Sequence, residues 1–100
     1  MATTSKALGR GAFATSSATL YTVPSATTAV VTNIVITNTA GSAGTFTLAL
    51  NGTSLATTVA VAANSITTLD IKQVLSATQT ITGLASATTI NYHISGVEIA

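Results

Sequence analysis

"AVVTNIVITNTAGSAGTFTLALNGTSLATTVAV", residues 29–61, holds no charged residue, and its reading decides the fold class. In its middle, TFTLALN (45–51) alternates with period two, placing Phe46, Leu48 and Leu50 on one side. That is the pattern of a half-buried strand. Asn51-Gly52 follows with the two residue types that tolerate the positive φ values of a type I′ turn, so a hairpin into TSLATTVAV (53–61) is predicted. Upstream, AVVTNIVITN (29–38) is apolar on both parities: Val30, Thr32, Ile34 and Ile36 share one face, and Val31, Asn33, Val35 and Thr37 share the other. Such a strand is expected to be central and covered on both sides. TAGSAG (39–44) between them reads as a loop.

The same texture extends outward. ATLYTV (18–23) stops at Pro24, which cannot donate to a ladder. Further strands are expected at SITTLDI (65–71), TQTITGL (78–84) and TTINYHISGVEI (88–99), with KQVLS (72–76) forming a helical turn. In the last strand Ile90, Tyr92 and Ile94 share a face while Val97 and Ile99 have the opposite parity, so a β-bulge at Gly96 is expected to reset the alternation. Turn signals recur about every 8 to 12 residues and no amphipathic helix appears, which predicts an all-β fold. The expected architecture is a single antiparallel β-sandwich, jelly-roll or Ig-like, of about seven or eight strands. Residues 1–17, MATTSKALGRGAFATSS, lack a sustained period and read as an extended N-terminal arm preceding a sandwich domain over 18–100.

Composition narrows the function. One hundred residues make one domain, able to bury roughly 60 to 65% of its unfolded surface. Hydrophobic residues are 47% and charged residues 5%, against roughly 25% charge in ordinary soluble proteins. Disordered chains show the reverse balance. About a fifth of the residues are threonine and tryptophan is absent, so the core must be Val, Ile and Leu. Lys6, Arg10 and Lys72 against Asp70 and Glu98 give a net charge of +1. No basic cluster is available to bind nucleic acid. With no cysteine, neither disulfides nor a thiolate metal site can form. "AFA" at 12–14 mimics a cleavage site without the apolar run that should precede it, so no signal peptide is expected. No apolar run approaches about 18 residues, and the strands are too few and too poor in aromatics for a membrane barrel, so no membrane partner is expected.

Chemistry-bearing residues are scarce. His93 is the only histidine, and by parity it lies opposite the Ile90/Tyr92/Ile94 face, so it reads as a partly exposed strand residue. Asp70 and Lys72, two apart, read as a solvated ion pair. Gly9-Arg10-Gly11 is too short for a phosphate loop. Asn51-Gly52-Thr53 matches a glycosylation acceptor, but the turn already explains it. Thr-x-Thr pairs at 37/39, 45/47, 78/80 and 80/82 have irregular spacing, unlike the fixed repeat of an ice-binding solenoid. No catalytic residue, cofactor or metal site is predicted.

Two longer phrases carry a resemblance. ATLYTVPSATTAVVTNIVITNTAGSAGTFTLAL (18–50) and the closing YHISGVEI (92–99) resemble phrases of small tailed-phage virion proteins. The resemblance implies a non-enzymatic virion component, a capsid cement or decoration protein that stabilises the head shell. A tail, baseplate or fibre subunit is the alternative, and an adhesion or carbohydrate-binding module is disfavoured by the lack of aromatic platforms. The implied partners are the major capsid protein and copies of the chain itself, a trimer being favoured, and the implied location is the virion, assembled in the host bacterial cytoplasm. Within the arm, Lys6, Leu8, Arg10 and Phe13 are the expected interface residues, with Phe13 as anchor.

Overall fold

The computed structural model describes residues 3–100, and the first two residues of the expected arm lie outside this range. The described residues form nine strands: β1 (Thr3–Ala12), β2 (Ala18–Thr22), β3 (Thr28–Asn38), β4 (Gly44–Leu50), β5 (Thr53–Val61), β6 (Ser65–Leu69), β7 (Gln73–Leu75), β8 (Thr80–Ala85) and β9 (Ile90–Ile99). They make two antiparallel sheets. One runs β1-β9-β3-β6 with β7 also on β3, and the other runs β2-β8-β4-β5.

The pairing is nested. β4 pairs with β5, β3 with β6 and β7, β2 with β8, and β1 with β9. A long hairpin rolled over on itself produces this order, so of the two expected sandwich types the chain takes the jelly roll. The Asn51-Gly52 turn at its tip has φ values of 48° and 80°, as the type I′ reading requires.

Four expectations are corrected. First, the N-terminal segment is not a detached arm. Residues 3–12 pair with β9 along their length, and Leu8 and Phe13 enter the core. Its inward alternation was hidden because two inward positions, opposite Ile94 and Tyr92, are Gly9 and Gly11. Second, KQVLS contributes strand β7 rather than a helical turn. β6 pairs only with Ile34–Asn38, which leaves the first half of β3 to be closed by β7 opposite Ala29–Val31. Third, β9 carries no extra residue at Gly96. The register shifts fall at Thr32 in β3 and Leu8 in β1, so both neighbours bulge while β9 keeps its parity. Fourth, the strands number nine, because both β1 and β7 join the first sheet.

The bulge at Thr32 explains why β3 looked apolar on two faces. Ala29 and Val31 point inward before it, and Ile34 and Ile36 after it. These side chains meet Phe46, Leu48, Val61 and Ile81 of the opposite sheet. Phe13 stacks on Phe46 with centroids 6.4 Å apart and meets Tyr92 edge-on at 5.1 Å. Three of the four aromatic residues thus form one cluster at the core's centre.

Gly96 is required by crowding rather than by its own dihedrals. A Cβ there would collide with the Val30 carbonyl oxygen and approach Leu8 Cδ1 to 2.8 Å. Gly96→Ala is therefore expected to lower stability by about 1 to 3 kcal/mol. An unchanged urea midpoint would show that the bulged strands yield without cost.

Candidate functional site

Charge in this chain is confined to one sheet and its loops. Lys6 and Arg10 are on β1, Glu98 on β9, and Asp70 and Lys72 in the connector between β6 and β7. Strands β2, β4, β5 and β8, the whole of the second sheet, carry none.

One polar cluster is built into the sandwich. Because β9 does not reset its parity, Glu98 faces the same side as Ile94 and Gly96, where β1 and β2 also converge. Tyr21 Oη donates to Glu98 Oε2 at 2.5 Å, and Lys6 Nζ donates to Oε1 at 3.3 Å. The Tyr21 hydrogen bond lowers the Glu98 pKa; burial opposes this and Lys6 reinforces it. Burial, with Glu98 beside it, pushes the Tyr21 phenol well above its usual value. The three residues fasten β1, β2 and β9 together. Sequence parity missed this cluster because the expected bulge turned Glu98 outward.

Linkage gives these shifts a consequence. A carboxylate with a depressed folded pKa stabilises the fold above its ordinary value of 4.5, and that contribution is lost as pH falls through the folded pKa. A phenol with a raised folded pKa weakens the fold as pH rises past its ordinary 10.0, where only the unfolded chain ionises. Stability should therefore be level from about pH 5.5 to pH 9 and fall on both sides. Glu98→Gln should lower the plateau and flatten the acid limb. Thermal melts across pH check this, and an acid limb unchanged in Glu98→Gln would contradict it.

The remaining expected residues do not converge on a reaction site. His93 is partly exposed on the outer face of the first sheet, between Arg10 of β1 and Val35 of β3. Glu98 points to the opposite face. Asp70 and Lys72 lie beyond the end of β6, 3.7 Å apart, their side chains 82% and 77% exposed. No group of three or more His, Cys, Asp or Glu residues could hold a metal ion among the described residues. A groove of about 250 Å³ between the β4–β5 hairpin and β7 is lined by Leu50, Leu55, Val74, Leu75, Gln73 and Gln79 among others, none of them titratable.

The expected interface set divides. Leu8 and Phe13 are core residues of their own chain, 8% and 1% exposed, and so cannot anchor a neighbour while β1 stays in place. Lys6 is turned to Glu98, and Arg10 projects from the outer face.

What the geometry does present is two broad outer faces. On the second sheet threonine dominates: Thr82 lies opposite Thr19 and Ala49, and Thr47 opposite Leu84. On the first sheet β-branched apolar residues cluster, with Val30 directly between Val97 and Val74 and Ile99 next along β9. Among the described residues, the first sheet's outer face sets Arg10 opposite His93, and the second sheet's outer face carries no titratable strand residue.

No protein-family model matches the chain, and no curated protein matches it. Among solved structures it is similar to a pentameric capsid protein isolated from metagenomic phage sequences, at 14% identity and a TM-score of 0.38. The alignment covers 90% of this chain and 60% of that one, so the chain spans less than two thirds of its neighbour's length.

Proposed function

We infer that the chain is a non-enzymatic structural subunit of a phage virion, acting as a capsid cement or decoration protein. The observation that carries this reading is the surface: a jelly-roll sandwich with a whole sheet free of charge and apolar side chains on the outer face of the other. Such a surface suits a subunit covered by neighbours, since near-neutral, patch-bearing proteins associate. The phrases at 18–50 and 92–99 that resemble small tailed-phage virion proteins support the same class, and jelly rolls recur in viral capsid domains, a fold-level analogy. Function here is mechanical. Contacts that exist only on the assembled shell add to the free energy needed to dismantle it.

Cryo-electron microscopy of particles carrying the protein, together with re-addition of purified protein to particles lacking it, tests the assignment. Density on heads and recovered resistance to heating are expected. Density confined to tails would replace the cement role with a tail role, and absence from particles would overturn the virion reading.

A further inference from the structure

Strand β3 buries Ala29, Val31, Ile34 and Ile36, yet it also turns two valines onto the face that the fold leaves uncovered. Antiparallel sheets with one solvated face show apolar-in, polar-out alternation, as β4 does with Phe46 and Leu48 inward and Thr45, Thr47 and Ala49 outward. β3 departs from this by turning Val30 and Val35 outward. Its neighbours extend the departure. Val30 sits opposite Val97 on one side and Val74 on the other, Ile99 continues the row along β9, and Val74 is 64% exposed.

We propose that a second copy of this chain packs face to face on the outer surface of the five-stranded sheet, over the patch formed by Val30, Val74, Val97 and Ile99. Three considerations select a second copy. Like patches can meet without like charges meeting, because none of the four patch residues is charged: Arg10 lies across the sheet on the edge strand β1, and the exposed Asp70 and Lys72 ahead of β7 carry opposite charges. An acidic or basic partner would find nothing on the patch to pair with, whereas the chain's own β-branched rows can interdigitate as facing sheets do at about 10 Å. The size also fits: β1, β9 and β3 with ten or eleven residues each, and β6 and β7 end to end as a fourth row, at about 4.8 Å between rows and about 3.4 Å per residue, make a face of roughly 650 Å². Two such faces would bury roughly 1,300 Å² on contact, inside the range of about 1,200 to 2,000 Å² for stable interfaces.

This assembly does not depend on the virion role, so it is tested on purified full-length protein by sedimentation equilibrium at low ionic strength, where charges act over about 30 Å. Val74 is exposed on an edge strand, so Val74→Asp and Val74→Lys should each keep the parent's circular dichroism and melting. Each alone should weaken self-association at least about tenfold, because like charges then meet across the interface. An equimolar mixture of the two should restore it. Thr19→Asp, on the exposed face of the other sheet, should leave association unchanged. A parent protein that stays monomeric throughout, folded Val74 variants that associate like the parent, or a mixture without rescue would each overturn the proposal. A monomer that loses particle binding on Val74→Asp would assign the face to a shell partner instead.

Discussion

Phe13→Ala is expected to destabilise the chain by about 3 to 5 kcal/mol, a large share of a small domain's stability. Phe13 follows directly on β1, is 1% exposed, and lies between the rings of Phe46 and Tyr92. Its backbone N–H donates to the Ile90 carbonyl at 2.9 Å, so side chain and main chain hold the same point. β1 is an edge strand with Gly9 and Gly11 at two of its inward positions, which leaves Leu8 and Phe13 as its apolar attachments to the core. Truncating Phe13 opens a cavity at the centre of the sandwich and releases the β1 edge. A urea titration measures the loss, and amide exchange should rise first along β1. If Phe13→Ala melts with the parent, or if deleting residues 3–13 leaves a cooperatively folded domain, the placement of β1 within the sandwich is wrong.

Phe46→Ala is expected to cost about 3 to 5 kcal/mol for a different reason. Phe46 is fully buried on β4, an interior strand of the second sheet, opposite Val59 and Ala85. No strand end can collapse into the space its ring would leave, because β5 and β8 hold β4 on both sides. Phe13 and Phe46 share one cavity, so their losses should not add. In a double-mutant cycle the coupling should fall in the range of about 0.5 to 3 kcal/mol, and simple additivity would show that the two rings do not act as one unit.

Local pattern was enough for much of this. The alternation of residues 45–51, the Asn51-Gly52 turn and the stop at Pro24 specify strands and a hairpin, because each depends on residues adjacent in the chain. The placement of Phe46 and Leu48 inward and of His93 outward followed from period two alone.

Pairing across the chain decided the rest. Whether TTSKALGRGA (3–12) is an arm or a strand depends on β9, some 80 residues away, whose edge accepts it. Glycine at inward positions erases the local signal that would have revealed it. The three residues of β7 are too few to carry a period, and they are extended because the first half of β3 needs a partner. The parity change read at Gly96 lies instead in Thr32 and Leu8, since a bulge is a mismatch between two strands and neither strand encodes it alone. Glu98 turns inward for that same reason, and the Lys6–Glu98–Tyr21 cluster arises with it. Sequence alone determined the elements and their apolar sides; only tertiary structure determined their partners and register, because register is set by packing between segments distant along the chain.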